Sequence, residues 1–385
     1  MSKRFASRFA AAAALAALFV MVLLLSACGV GPAASPSAAG RTSGAASATG
    51  GASAGERVTI TIGYQSPTAQ TWGALIIKNR KLFEKYLQQQ MPDSSITVEW
   101  FDAPAGSVLN NHMAGGKIQI SFLGDMPSLL NGVLGLTQAN YRSVFVAFDG
   151  KGSEGRNQAI LVPKNSDIRA LSDLQGRTVS TPIGSSAHRM LLESLRKENL
   201  VDRVTIVDQS VTVGMQSIEQ NKVAAHSTWE PYPSLMQQKD IGQVLQFGEA
   251  TDIDYLAGVV ANRDWAEANE PIVVAFLQAL NEAHEFASAH PEETADIFAE
   301  ESGFPLEVCA KMVKNIRFDA AIYQKDVETL RGSVDFLSSI GKLQKKLDLS
   351  TFVDDRYLRA AVKENAKAYL SEDQLRGEWV QGKVY

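Results

Sequence analysis

Lys117-Ile118-Gln119-Ile120-Ser121-Phe122-Leu123-Gly124-Asp125 and Lys222-Val223-Ala224-Ala225-His226-Ser227-Thr228-Trp229-Glu230 share one pattern. Each is a basic residue, a strand-like run and an acid at the same offset, with Pro127 or Pro231 close behind. Around the first copy, Val58-Thr59-Ile60-Thr61-Ile62, Ile96 to Trp100 and Ser143 to Phe148 read as further strands. Between them run a helix through Trp72, Leu75, Ile76, Phe83 and Tyr86 and a second helix, Gly106 to Ala114, closed by Gly115-Gly116. Around the second copy the cycle restarts, with strands at Gln158–Val162, Arg177–Thr181, Val204–Val207 and Val244–Phe247 and a helix over Ala187–Glu198. Strands alternating with helices predict βαβ units and mostly parallel sheets.

The repetition is either chance similarity between two strand-turn-helix units or the mark of two α/β lobes, each presenting an acid at a strand C-terminal end, where open α/β sheets bind ligands. The Gly/Asp-rich segments Asp149–Asn157 and Gly248–Asp254 are the candidate crossings between lobes. The domain reading is therefore 57–150 for the first part of lobe 1, 151–248 for lobe 2, and 249–385 for the return to lobe 1 with C-terminal helices. In that last part Ile272, Val273, Phe276, Leu277, Leu280 and Ala283 form a stripe at helical spacing.

The 385 residues suffice for two such cores, and a 45% hydrophobic, 21% charged composition excludes wholesale disorder. With 37 basic and 42 acidic residues and no basic cluster beyond the N-terminus, a nucleic-acid partner is not expected. Two cysteines make no disulfide framework, and five scattered histidines lack metal-ligand spacing, so neither a metal nor a cofactor is expected.

The first 27 residues read as an address. Lys3, Arg4 and Arg8 precede an unbroken apolar run of 17 residues, Phe9 to Leu25, which is short for a spanning helix and fits a signal segment. Leu25-Ser26-Ala27-Cys28 then resembles the bacterial lipoprotein box, which implies cleavage before Cys28 and lipidation of it. Cleavage would leave 34 basic against 42 acidic residues. Residues 29–55 hold 25 Gly, Ala, Ser, Thr or Pro among 27 positions, a flexible tether with a reach of roughly 30 Å. Cys309, in an expected helix Leu306–Ile316, reads as a packed thiol.

Three stretches could carry chemistry. Gly184-Ser185-Ser186-Ala187-His188 lies between a strand and a helix. It is either an anion-binding helix start with added hydroxyl and imidazole donors, or a capped helix with a surface His. Ser186 has no nucleophile-elbow context. Trp229-Glu230-Pro231 follows a strand, so Trp229 walls a ligand cavity or fills an interface. Asp125 and Glu230 either face one cleft from opposite sides or serve as caps and solvated acids.

In order along the chain, the lipobox, Ile62-Gly63-Tyr64-Gln65, Leu171-Ser172-Asp173-Leu174-Gln175-Gly176-Arg177-Thr178-Val179, Gly184-Ser185-Ser186-Ala187-His188 and Trp229-Glu230-Pro231 resemble the nitrate/sulfonate/taurine-type substrate-binding proteins of ABC transporters. The resemblance covers roughly Arg57 to Ala320. It implies a type II periplasmic-binding-protein-like fold, a monomer without catalytic activity, anchored outside the cytoplasm. It further implies a permease partner with a cytoplasmic ATPase and a small organic oxoanion as ligand, a sulfonate or taurine. The positions it marks are Gln65, Asp125, Ser185, Ser186, His188 and Trp229, to which the repeat adds Glu230. Gln119, Ala224 and Arg189 depart from the pattern. A nitrogenous ring compound such as a thiamine-precursor pyrimidine, and an extracellular hydrolase using Ser186 or Asp125, are the alternative readings.

Overall fold

The computed structural model describes residues 57–385. The lipobox, Cys28 and the 29–55 tether lie outside the described residues. Among the described residues eleven strands run β1 Arg57–Tyr64, β2 Ser95–Asp102, β3 Ile120–Gly124, β4 Ser143–Gly152, β5 Gln158–Pro163, β6 Thr178–Thr181, β7 Thr205–Asp208, β8 Ala225–Trp229, β9 Gly242–Phe247, β10 Tyr255–Asn262 and β11 Arg317–Phe318. They form two sheets, β11-β4-β10-β3-β1-β2 and β7-β6-β8-β5-β9.

Without the short edge strand β11, the two sheets have the same order. β1 pairs in parallel with β2 and β3, as β6 does with β7 and β8. β3 then pairs antiparallel with β10, which pairs antiparallel with β4; β8, β5 and β9 repeat this arrangement. The repeated sequence pattern is thus a repeated structure. β3 and β8 occupy equivalent central places, and Asp125 and Glu230 follow their C-terminal ends.

Most strands of each sheet run the same way, as expected; β10 and the short β11 run against the rest of the first sheet, and β5 against the rest of the second. β5 is the first strand after the chain leaves lobe 1, and β10 the first after it returns. Neither is preceded by a helix that would carry the chain back along its own sheet, so each enters against its neighbours. The crossings themselves fall near the two expected segments, through short helical turns at Ser153–Gly155 and Gly248–Thr251.

Each sheet is buried on both faces. β3, β4 and β5 are buried at every position, as runs such as Val144-Phe145-Val146-Ala147-Phe148 require. In lobe 1 one apolar cluster gathers Ile60, Ile62, Phe122 and Phe276, and another gathers Leu123, Phe145, Phe148 and Leu337. The stripe on the helix Glu270–Ala289 is buried as its spacing predicts. Cys309 is buried, and burial pushes its thiol up to about 11. One expected helix is two: Gly73–Asn79 and Leu82–Gln90 break at Lys81, whose φ of 52° is left-handed.

Candidate functional site

The strand ends β1, β2 and β3 of lobe 1 face the strand ends β6, β7 and β8 of lobe 2 across a cavity of about 430 Å³. Lobe 1 contributes Gln65 and Thr68 after β1 and the turn Pro104–Ser107 after β2. Lobe 2 contributes the turns Pro182–Ser186 after β6 and Asp208–Val211 after β7, with Trp229 at the end of β8.

Among the helices that start at this cavity are Gly106–Ala114, Ser186–Lys197 and Val211–Glu219. Their first-turn N–H groups carry partial positive charge. Ser185 caps the second helix by accepting from His188 N at 3.2 Å, and Ser210 caps the third by accepting from Val213 N at 3.4 Å. Both hydroxyl protons stay available to a ligand, since a cap uses the oxygen as acceptor. The first helix begins after Ala105, which has no side chain to cap it. Gly184 makes the lobe 2 turn possible, with a φ of 88° that a side chain would strain. No lysine or arginine lines the cavity among the described residues; its one charged lining side chain is Asp208, exposed, whose Oδ1 accepts from Ile183 N at 2.9 Å.

The residues marked in the sequence divide into two groups. Gln65, Ser185, Ser186 and Trp229 line the cavity. Gln65 is 4% exposed, with Nε2 near the Phe122 carbonyl at 3.4 Å. Trp229 walls the cavity and also bridges the lobes, because Nε1 donates to Pro67 O and to Thr68 Oγ1, both at 3.1 Å. His188, Asp125 and Glu230 do not line it. His188 Nδ1 accepts from Gly184 N at 3.2 Å, and its ring edge meets Phe336, so it braces the turn from behind. Burial pulls its pKa down, with Lys342 adding to the effect.

Asp125 is fully buried between the lobes. One carboxylate oxygen accepts from Ser186 Oγ of lobe 2, and the other from Ser333 Oγ at 2.9 Å, on the lobe 1 helix Gln324–Ser339. Ser333 Oγ in turn accepts from Arg189 Nη1 at 2.8 Å. Burial raises the Asp125 pKa, while Ser186, the Arg189 charge and Ser333 act in the opposite direction. This chain of contacts gives Arg189 its place. It also corrects two expectations, because the Ser186 hydroxyl is already donated to Asp125 and the Asp125 carboxylate is closed to a ligand cation.

Glu230 is half-buried and caps the helix Tyr232–Gln238. Its Oε2 accepts from Ser234 N at 3.1 Å and its Oε1 from Ser234 Oγ at 2.9 Å. Burial pushes its pKa up to about 7. The expectation of two carboxylates facing one cleft is thus replaced by one interlobe network and one helix cap.

Sequence reading missed Thr68, Pro104–Ser107, Asp208–Val211 and Tyr255. A signal was present for the second and third, since each directly follows a strand and precedes a helix, as Gly184–Ser186 does.

This architecture defines a class: two α/β lobes of equal sheet order, two crossings, and a cavity fed by helix starts from both sides. Solved structures place the chain within it. It superposes on the alkanesulfonate-binding protein SsuA from Xanthomonas axonopodis pv. citri bound to MOPS, with a TM-score of 0.65 at 22% identity over 77% of this chain and 98% of that one. Residues 151–294 match the family described as NMT1/THI5 like. The chain is 25% identical over 294 residues to a Bacillus subtilis protein named for aliphatic sulfonates binding, covering 76% of this chain and 85% of that one. It is 23% identical over 325 residues to the taurine-binding periplasmic protein of Escherichia coli, covering 79% and 94%. The chain is therefore similar to proteins named for binding aliphatic sulfonates and taurine, the taurine-binding one periplasmic.

Proposed function

We propose that this protein is the solute-binding subunit of an ABC importer, capturing an organic oxoanion, a sulfonate, and delivering it to a permease coupled to a cytoplasmic ATPase. The observation that carries the reading is the cavity on which several helix starts converge with no lysine or arginine in its wall among the described residues. Neutral donors around a singly charged oxoanion hold it by oriented N–H and O–H groups, and a helix N-terminus favours negative charge. Relatives named for sulfonates and taurine support the same class. Gln65, Ser185 and Trp229 are the proposed ligand contacts. Asp125, Ser186 and His188 are proposed to shape and close the site, and Glu230 to stabilise lobe 2. Residues 57–150 and 249–385 would form one lobe and 151–248 the other. Lipidation at Cys28 and the 29–55 tether would hold a monomer at the outer face of the membrane.

The hydrolase reading finds little support. Ser186 donates to the Asp125 carboxylate, which Ser333 also holds, and not to an imidazole, and the His188 ring nitrogen Nδ1 is engaged by Gly184. Isothermal titration calorimetry on the full chain, extracted in detergent, tests the proposal with ethanesulfonate, taurine, nitrate and a thiamine-precursor pyrimidine. Sulfonate binding with the ligand recovered intact is expected. Pyrimidine binding without sulfonate binding would replace the ligand class, and ligand turnover would replace the binding reading.

A further inference from the structure

We propose that the chain carries a second binding site, remote from the interlobe cavity, which takes a small oxoanion of two or more negative charges. A cavity of about 470 Å³ opens where the first crossing meets lobe 1. Lys151, Ser153 and Arg156 line it on the crossing side. On the lobe 1 side lie Lys314, at the end of the helix Leu306–Asn315, and Arg317, at the start of β11. It shares no lining residue with the interlobe cavity.

Its charge is one-sided. Lys151, Arg156, Lys314 and Arg317 line it, and no aspartate or glutamate does among the described residues, although the chain holds 42 acidic against 37 basic residues. Two of the cations are paired from behind. Lys151 Nζ lies 2.6 Å from Asp326 Oδ2, and Arg317 Nη2 lies 2.7 Å from Asp319 Oδ2; both acids are fully buried and neither lines the cavity. Each pair therefore turns its positive end to the cavity. The other two cations are less engaged. Arg156 is exposed with Glu249 at 3.8 Å, and Lys314 is exposed with no acid in ion-pair reach among the described residues. His284 also lines the cavity, but both of its ring nitrogens are engaged, by Asp149 and by the Tyr385 carbonyl oxygen.

A cavity with low-dielectric walls and one sign of charge concentrates ions of the other sign. A guanidinium is a planar fork that matches the paired oxygens of a phosphate or carboxylate, and an ammonium adds a compact charge. Arg317 Nη1 makes no hydrogen bond to the described residues, so its fork is not exhausted. Ser153, Ser288, Asn315 and Gln381 place neutral polar groups in the same wall. A singly charged anion would balance one cation and leave the others facing each other, so the wall favours two or more charges on the ligand. The volume lies within the ~300–1,000 Å³ typical of small-molecule sites.

Calorimetry on the full chain in detergent, with pyrophosphate, citrate and acetate at fixed ionic strength, tests the site. Pyrophosphate or citrate is expected to bind at one per chain, at least tenfold tighter than acetate. Arg156→Gln and Lys314→Gln, both on exposed side chains, should each weaken that binding at least tenfold, because a hydrogen bond to a charged group is worth about that much or more. Lys117→Gln, an exposed charge of lobe 1 outside the cavity, should leave it unchanged. Failure of both anions to bind a chain with an intact thermal transition would overturn the proposal. Binding that survives both substitutions would overturn it too, placing the anion elsewhere, the interlobe cavity included. An equal loss in Lys117→Gln would reduce the effect to net charge, and acetate binding as tightly as the other two would remove the need for multiple charge; either result rejects the site as proposed. Capture by phosphatidate vesicles, lost in Arg156→Gln and Lys314→Gln while the soluble anions do not bind, would replace the small ligand with a lipid headgroup.

Discussion

Asp125 and Glu230 follow equivalent strands in two sheets of the same order, and they do opposite kinds of work. Asp125 lies between lobes, where its carboxylate joins Ser186 of lobe 2 to Ser333 of lobe 1. Glu230 turns back on its own lobe and caps the next helix through Ser234. Both have raised pKa values because both are shielded from water, yet only one has a partner across the cleft. Equivalent topology places an acid at the strand end, and the neighbouring elements then decide what the acid touches. In lobe 1 the neighbour is the helix Gln324–Ser339, which brings Ser333 and Phe336 toward the cleft. The fold fixes the place of the side chain, but the chemistry comes from sequence far away.

The largest effect should come from cutting the interlobe network. Asp125→Ala leaves the Ser186 and Ser333 hydroxyls without their acceptor and removes the negative charge near Arg189, whose guanidinium is largely enclosed. Removing one partner from a buried charged network costs about 3–5 kcal/mol. A fall in melting temperature on the order of 10 °C is expected for a chain of this size. Ligand affinity should also fall although Asp125 touches no cavity, and small-angle scattering should show a larger radius of gyration. Glu230→Ala should do much less at pH 7. A cap is worth about 1 kcal/mol, and the loss of an enclosed carboxylate offsets part of it. Equal damage from the two substitutions would break the contrast.

The second test uses pH, and it sets Glu230 against a residue on the strand that precedes it. Glu230 has its pKa raised from 4.5 to about 7, so the folded state holds a proton that the unfolded state releases between those values. Its contribution to stability is present below about pH 4.5 and is lost as pH rises to about 7. His226 is fully buried; Nδ1 lies 2.9 Å from Ser180 Oγ and 3.1 Å from the Ser180 carbonyl. Burial pulls its pKa from 6.5 down to about 4. The unfolded state therefore binds a proton that the folded state refuses, and this contribution is lost as pH falls from about 6.5 to about 4. Each amounts to roughly 3 kcal/mol at 1.36 kcal/mol per pH unit, and the two slopes oppose one another over most of one window. Glu230→Gln should expose the histidine slope, so that stability falls on acidification from pH 6.5. His226→Asn should expose the glutamate slope, so that stability rises on acidification from pH 7. Chemical denaturation at half-unit steps of pH measures both, and two flat profiles would refute the assignment.

How much of this was legible follows from the range of the contacts. The two lobes could be read because each sheet is announced locally by an apolar strand, a turn and a helix. The match between Lys117–Asp125 and Lys222–Glu230 is contiguous sequence. The place of Ser185 was legible for the same reason, since its capping partner is three residues away. The role of Asp125 was not, because Ser333 stands 208 residues further along the chain. Arg189, which departs from the family pattern, is explained only by that same distant helix. The reversed direction of β5 and β10 was also beyond reach: both have ordinary strand composition, and their antiparallel entry follows from the crossings. The break at Lys81 carries no glycine or asparagine that would have marked a left-handed residue.

A third, smaller effect separates the two serines of the lobe 2 turn. Ser185 faces the cavity and caps its helix, whereas Ser186 is engaged with Asp125. Ser185→Ala should lower stability by about 1 kcal/mol and weaken ethanesulfonate binding by roughly 10- to 150-fold, since a hydrogen bond to a charged group is worth ~1.5–3 kcal/mol. Ser186→Ala should loosen the lobes as a milder form of Asp125→Ala. The two variants therefore differ in kind, and calorimetry together with scattering distinguishes them. If Ser186→Ala weakens binding while the radius of gyration and melting temperature stay unchanged, Ser186 contacts the ligand directly.

The smallest expected change belongs to Trp229, the residue that works both within the cavity and between lobes. Its indole N–H is shared between Pro67 O and Thr68 Oγ1, while the ring forms part of the cavity wall. Trp229→Phe keeps an aromatic face and removes only the N–H. Thr68 is buried but lines the cavity and Pro67 is partly exposed, so the cost is set by one neutral hydrogen bond, about 0.5–1.5 kcal/mol. Ligand affinity should therefore fall by roughly 2- to 12-fold. Trp229→Ala removes the face as well, and a ring-bearing sulfonate should then lose far more affinity than ethanesulfonate does, because only the former has area to stack on the indole. The comparison of Phe with Ala thus divides the contribution of Trp229 between lobe bridging and ligand contact. If Trp229→Phe costs as much as Trp229→Ala for both ligands, the N–H carries the whole effect, and Trp229 belongs with Asp125 as a residue that holds the lobes together.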